Sequence, residues 1–134
     1  MNFTKEYISL CKNNKVQELR PDEVEIGDWY IDPNYYMAEK EPLLCGVEYI
    51  GFIPTDTIMH RDKVIWLPTG NQLDEEIIKI CRKKRGLYEF KYYSKLNLYT
   101  AEIMFTAASN FVETSKGNPL IAKLKLLIQL LGDE

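Results

Sequence analysis

The order of hydrophobic periodicities along the chain most constrains its fold. Runs rich in β-branched and aromatic residues predict consecutive strands at 24–31, 43–53, 57–59 and 64–67. Helical spacing of apolar residues precedes and follows them. Because strands and helices do not alternate regularly, this order predicts an antiparallel sheet covered by helices and argues against a doubly wound parallel sheet. The predicted class is therefore α+β, with a small sheet of three to five strands.

Helices are predicted at the N-terminus, in the centre and twice near the C-terminus. Phe3, Tyr7 and Cys11 recur at helical spacing. The clearest helix covers 69–85, where acidic residues come first, four bases come last and a glycine follows. Residues 87–93 alternate like a half-buried strand. Segment 97–115 and the segment that begins at Pro119 are predicted as the two C-terminal helices, with Asn118 as the cap of the second.

Length and composition are those of an ordinary globular protein. A chain of 134 residues is expected to form a single domain over 1–134, and no repeat or flexible linker marks a boundary. Its three cysteines are widely spaced, which favours reduced thiols over a secreted disulfide framework. No signal peptide is recognisable, and the longest apolar stretch falls short of the roughly 20 residues that span a bilayer. We therefore expect an intracellular protein without membrane contact.

Several common catalytic chemistries lack the residues they need. The sequence has no glycine-rich phosphate loop, no second histidine beside His60, and no closely spaced cysteine pair for zinc. His60 with Asp56 or Asp62 could act as a base in a small hydrolase, although a turn histidine beside turn aspartates is the simpler interpretation. Asp28 and Asp32 form another carboxylate pair that fits strand ends equally well. We predict no catalytic residue, no metal and no cofactor.

Bases and aromatic residues are interleaved in segment 82–95. Positive charge beside exposed rings often holds single-stranded nucleic acid or a nucleotide, but the bases could instead complement a helix end while the rings face the core. The whole chain is acidic, with a net charge of -3, so general nucleic-acid binding is not expected. A local nucleotide or small-anion site would use Arg82, Lys83, Lys84, Arg85, Tyr88, Lys91, Tyr92 and Tyr93.

The last predicted helix is apolar around most of its circumference. Such a helix either lies deep in the core or uses its second face to meet a partner. A terminal helix is easier to place at an interface, which favours self-association into a homo-oligomer. The residues expected to carry that contact are Leu120, Leu124, Leu127 and Leu131.

A short signature covers the predicted strand at 64–67 and the start of the central helix. The segment VIWLPTGNQLDEEI at 64–77 resembles a W-L-P-T-x-x-Q-L-x-E pattern in small phage and prophage proteins of low-GC Gram-positive bacteria, a family without an assigned activity. LCK at 10–12, QEL at 17–19 and GDWY at 27–30 are also similar to theirs, whereas 32–62 and the C-terminal helices match poorly. The resemblance implies a phage accessory protein in the cytoplasm of a bacterial host.

These observations support three functional hypotheses. The leading one is a non-enzymatic binding protein that self-associates and engages a host or phage macromolecule. The alternative is a module that binds a nucleotide or small anion through segment 82–95. The third is a small hydrolase-like enzyme that uses His60.

Overall fold

The structure, a computed structural model, describes residues 3–21, 29–31, 43–44, 65–105 and 110–132. They belong to two compact units, divided between Thr69 and Gly70. Helices and antiparallel strands are both present, so the predicted α+β class is confirmed. The single domain over 1–134 stays a prediction. The predicted strand 57–59 and the turn at His60 lie outside the described residues.

Two short helices and three short strands make up the described part of the first unit. They are α1 Lys5–Cys11, α2 Asn14–Glu18, β1 Trp29–Ile31, β2 Leu43–Leu44 and β3 Ile65–Leu67. Strand β1 is central and pairs antiparallel with both others, with Tyr30 opposite Trp66. Tyr7 of α1 and Val16 of α2 are fully buried, as their helical spacing predicts. The predicted strands at 24–31, 43–53 and 64–67 are confirmed where they are described.

Two polar side chains hydrogen-bond to backbone groups of this unit. The Gln17 Nε2 donates to the carbonyls of Cys11 at 2.6 Å and Trp66 at 2.9 Å, and its Oε1 accepts the Trp66 N–H at 2.8 Å. The Tyr7 hydroxyl donates to the Pro68 carbonyl at 2.5 Å. Short strands leave buried backbone groups without ladder partners, and these side chains supply them.

The second unit runs from one long helix through a sheet to another. Its elements are α3 Gly70–Lys84, β4 Gly86–Tyr93, β5 Leu98–Phe105, β6 Asn110–Lys116 and α4 Pro119–Gly132. The sheet is antiparallel in the order β4-β5-β6. A 3₁₀ turn at Ser94–Leu96 leads to Asn97, which is left-handed with a φ of 48°. Helix α3 and strand β4 confirm the predictions for 69–85 and 87–93.

The helix predicted over 97–115 is wrong, because this segment contributes strands β5 and β6. Ala101, Met104 and Phe105 match helical spacing, but Ala101 and Ile103 are fully buried while their neighbours are only half-buried, which is the period of a strand. Strand β5 pairs with β4 on one side and β6 on the other, and this pairing outweighs local spacing. Within the described ranges, one C-terminal helix rather than two follows the sheet.

Helices α3 and α4 bury their apolar residues with one face of the second unit's sheet. Helix α4 packs on α3, β5 and β6. Asn118 caps α4, as predicted, with its Oδ1 accepting the Leu120 N–H at 2.9 Å. The residues buried by the two helices are Leu73, Ile77, Ile80, Cys81, Leu120, Ile121, Ala122, Leu124, Leu126, Leu127, Leu130 and Leu131.

Candidate functional site: the open face of the C-terminal sheet

The bases and rings predicted to bind a nucleotide lie at opposite ends of β4. The four bases at 82–85 are exposed where α3 ends and β4 begins. Tyr92 and Tyr93, at the far end of β4, are 51% and 47% exposed. Seven residues separate Arg85 from Tyr92, which is roughly 23 Å in a strand. The structure therefore does not bring the four bases at 82–85 and the exposed rings into one site, and these four bases instead complement the end of α3.

The two other members of that predicted set have different surroundings. Tyr88 is half-buried, its hydroxyl donates to the Asp74 Oδ1 at 2.8 Å, and burial raises its pKa. The Lys91 Nζ lies 3.1 Å from the Glu89 Oε2, and this hydrogen bond raises the pKa of Lys91. Tyr88 thus belongs to a network beneath the sheet, whereas Lys91 belongs to its solvent side.

The leucines predicted to carry self-association lie inside the second unit. Leu124 and Leu127 are fully buried, and Leu120 and Leu131 are less than one-tenth exposed. The chain's own α3, β5 and β6 pack on this helix. The structure therefore favours the alternative that α4 is a core helix, whose burial on several sides accounts for its apolar circumference. A homo-oligomer stays a prediction, and it requires another surface.

The register assigns each residue of the sheet to one of two faces, because directly opposite residues share a face and successive residues alternate. Helices α3 and α4 lie on one face, where Asp74 meets Tyr88 and the Lys123 Nζ sits 4.4 Å from the centre of the Phe90 ring. The other face, termed the open face, contains Leu87, Glu89, Lys91, Tyr93, Leu98, Thr100, Glu102, Met104, Asn110, Val112, Thr114 and Lys116.

The open face exposes large apolar side chains. Leu87 is 57% exposed, and Tyr93 and Val112 are each 47% exposed. No residue of the open face is buried. A single exposed apolar residue is ordinary on a protein surface, but several on one sheet face mark a contact surface.

Residues of the open face form four rows across the strands. Taken from β4 through β5 to β6, the rows are Leu87–Met104–Asn110, Glu89–Glu102–Val112, Lys91–Thr100–Thr114 and Tyr93–Leu98–Lys116. Apolar residues of β4 and β5 occupy the two outer rows. The second row carries two acids and the third row a base, so charge changes sign between the inner rows.

A satisfied polar network lies on the helix-covered side. The Asp74 carboxylate accepts hydrogen bonds from the Tyr88 hydroxyl at 2.8 Å and the Lys123 Nζ at 3.0 Å. The Lys123 side chain is only 12% exposed and also contacts the ring of Phe90. The network joins α3, β4 and α4, and each charged or polar group in it has a partner. Its role is to stabilise the second unit.

The described cysteines are poor candidates for nucleophiles. Cys11 and Cys81 are both buried, and burial raises the pKa of the Cys11 thiol to about 12 and that of Cys81 above its ordinary value. A thiol that stays protonated is a weak nucleophile. The acid-base residues considered from the sequence lie outside the described residues: His60, Asp28, Asp32, Asp56 and Asp62.

Residues 3–21, 29–31, 43–44, 65–105 and 110–132 contain no cluster of three or more histidine, cysteine, aspartate or glutamate residues that could hold a metal ion. In that same part of the chain, no helix is long and apolar enough to cross a membrane.

Comparisons with protein-family models, with curated proteins and with solved structures found no match. The resemblance to phage and prophage proteins therefore stays a prediction from the signature at 64–77. The site with the most distinctive geometry in the described chain is the open face.

Proposed function

We propose that this chain is a non-enzymatic binding protein that engages another protein through the open face of its C-terminal sheet. The observation that carries the proposal is the exposure of Leu87, Tyr93 and Val112 on one side of a three-stranded sheet whose other side is covered by two helices. An interface between independently folded partners is, as a whole, only about as apolar as the rest of a protein surface, so a face that mixes apolar and charged residues is compatible with such an interface.

The size of the face favours a macromolecule over a small ligand. Its outer rows are about 20 Å apart along the strands, and its outer strands are about 10 Å apart. Small-molecule sites are concave and surround most of their ligand. A sheet face instead presents rows of side chains to a partner of similar extent.

The charge of the face favours a protein over a nucleic acid. Glu89 and Glu102 balance Lys91 and Lys116. Affinity for nucleic acid comes mainly from lysines and arginines that neutralise phosphates, and acids in the same face oppose it. The phage setting and the bacterial cytoplasm enter this proposal from the sequence resemblance alone.

Site-specific photocrosslinking in cells that naturally carry the protein tests the proposal. A photoreactive amino acid would replace Leu87 or Val112, and in the control it would replace Lys79, whose side chain on α3 is 67% exposed. We expect protein adducts after irradiation from the two open-face positions and few from Lys79. Equal yields from all three positions, or none from the open face, would contradict the proposal.

A further inference from the structure

The open-face residues of β4 complement the same strand read in reverse. Along β4, the open-face residues are Leu87, Glu89, Lys91 and Tyr93: apolar, acidic, basic and aromatic. Read from the other end, the order is aromatic, basic, acidic and apolar. A second face laid on this one with its strands reversed would therefore place apolar against apolar and acid against base.

We propose that the partner of the open face is a second copy of this chain. The two faces stack about a twofold axis that runs across the strands, between the second and third rows. This inference rests on the proposed function, since it names the occupant of the same face. Rotation about this axis keeps each strand over its own counterpart and exchanges the rows, which produces an isologous contact.

The proposed stacking matches apolar and charged residues on β4 and apolar residues on β5, whereas on β6 Val112 faces the polar Thr114. On β4, Leu87 faces Tyr93 of the second copy and Glu89 faces Lys91 of the second copy. On β5, Met104 faces Leu98 and the acidic Glu102 faces the polar Thr100. Each match occurs twice by symmetry, so the two copies share two Glu89–Lys91 pairs and two Leu87–Tyr93 contacts, and the two intermolecular pairs join the Glu89–Lys91 pair that each chain forms within itself.

The other simple twofold stacking is much less favourable. An axis along the strands would leave every row over itself and exchange the outer strands. Glu102 on the central strand would then face Glu102 of the second copy, and like charges placed directly opposite are destabilising. Leu87 would face Asn110, and Tyr93 would face Lys116, so apolar surface would meet polar surface. Charge and apolar pattern therefore select the axis across the strands.

The twist of stacked sheets is compatible with these contacts. Stacked sheets usually cross at about 30°. Glu89 lies about 6 Å from the centre of the face, so that rotation moves it by about 3 Å relative to its partner. A lysine side chain has the length and flexibility to follow such a shift.

The area of the face predicts a weak dimer. Its flat area is about 350–400 Å² from the spacing of rows and strands, before the relief of the side chains is added. A standard interface buries about 800 Å² on each partner. We therefore expect association in the micromolar range, with a dimer that dissociates on dilution.

Charge reversal followed by mixing tests this dimer. In Glu89→Lys, the stacked faces bring four bases together, and in Lys91→Glu they bring four acids together. Each variant alone should associate at least about tenfold more weakly than the unmodified chain. An equimolar mixture of the two variants should form a mixed dimer, because each base then faces an acid. Sedimentation velocity over a concentration series measures all of these states.

The mixing step separates an interface from a folding effect, because a misfolded variant would not be rescued by another variant. Lys79→Glu on the exposed side of α3 is the matched control and should dimerise like the unmodified chain. The inference would be overturned by an unmodified chain that stays monomeric at about 1 mM. It would also be overturned by an equimolar mixture of the two variants that associates as weakly as either variant alone. Photocrosslinks from Leu87 to a different protein would then leave the proposed function standing, whereas no crosslinks from the open face would remove both.

Discussion

Removing the Asp74 carboxylate should destabilise the second unit strongly, because Asp74 is the acceptor for two buried or half-buried donors. Asp74→Ala leaves the Tyr88 hydroxyl and the Lys123 ammonium without their acceptor. A hydrogen bond to a charged group contributes about 1.5–3 kcal/mol, and removing one partner of a buried ion pair costs about 3–5 kcal/mol. The Asp74 side chain is 30% exposed, so water can partly take over the role of the carboxylate as acceptor. We therefore expect Asp74→Ala to lower the free energy of unfolding by about 2–4 kcal/mol.

A double-mutant cycle isolates the ion pair from the rest of the network. Lys123→Met keeps an apolar stem against the Phe90 ring and removes the charge, so it should cost only about 1 kcal/mol. The double variant should be less destabilised than the sum of the two single variants, with a coupling of about 1–2 kcal/mol. The coupling has this sign because each single variant leaves one charge without its partner, whereas the double variant removes both charges and leaves no unpaired ion.

Urea unfolding read by two signals measures this cycle. Circular dichroism at 222 nm follows the helices, including α3 and α4. Both tryptophans, Trp29 and Trp66, lie in the first unit, so tryptophan fluorescence reports that unit separately. Asp74→Ala should lower the urea concentration at the midpoint of the circular dichroism transition. The tryptophan fluorescence shows whether the first unit unfolds in the same transition.

The exposed Glu76–Lys79 pair on the same helix is the matched control. Its atoms lie 3.0 Å apart, as in the Asp74–Lys123 pair, but the Lys79 side chain is 67% exposed. Lys79→Ala should therefore cost no more than about 0.5 kcal/mol. A coupling below about 0.5 kcal/mol between Asp74 and Lys123, or an Asp74→Ala cost equal to that of Lys79→Ala, would contradict a stabilising ion pair at this site.

Two further changes probe the backbone and the buried thiol. Gly117 has a φ of 72°, and an added Cβ would lie 3.3 Å from the Asn97 Nδ2. Gly117→Ala should therefore lower the free energy of unfolding by about 1–2 kcal/mol, measured by urea unfolding. Gly132→Ala, with open space around it, should not lower it. The pKa of Cys11 is about 12 in the folded chain, against an ordinary value of 9.0, so the thiol of the unfolded chain ionises first as the pH rises. The free energy of unfolding should therefore fall from pH 9 upward, by at most about 1.4 kcal/mol per pH unit. Urea unfolding followed by tryptophan fluorescence at pH 8, 9 and 10 measures this fall. A Cys11→Ala variant should show a shallower fall. An equal free energy of unfolding at all three pH values would contradict the burial of the thiol.

Local signals in the sequence predicted the elements whose boundaries are set locally. Bases at the end of α3 and the alternation of β4 each act within a few residues. The glycine predicted to stop α3 does not take the left-handed conformation, which falls on Arg85 with a φ of 55°, and Gly86 begins β4. Asn118 is likewise a cap that its own position in the sequence predicts. These elements therefore agree with the structure almost residue for residue.

Segment 97–115 could not be assigned in the same way, because its apolar residues fit both periods. Ala101, Met104 and Phe105 suit a helix, while Tyr99, Ala101 and Ile103 suit a strand. The decision depends on β4, which offers β5 a full-length partner that no local pattern reveals. The one overlooked local signal was Asn97, a residue that tolerates the left-handed conformation of a turn.

The open face was missed for the same reason. Eight of its twelve residues lie in the two strands, β5 and β6, whose segment was predicted as helix, so Glu102 and Val112 were not placed beside Glu89. The leucines of α4 were assigned to an interface because a helix apolar on several sides fits both a core and a contact surface. Only the packing of α3 and the sheet around α4 distinguishes these alternatives.

The side chain of Gln17 has a consequence for the solubility of the first unit. Strand β3 lies at the edge of its described sheet, and a free edge is a template on which another chain can add a strand. Gln17 occupies both the N–H and the carbonyl of Trp66, as a neighbouring strand would. One side chain from a helix thus takes the place of an incoming strand and protects this position against edge-to-edge aggregation.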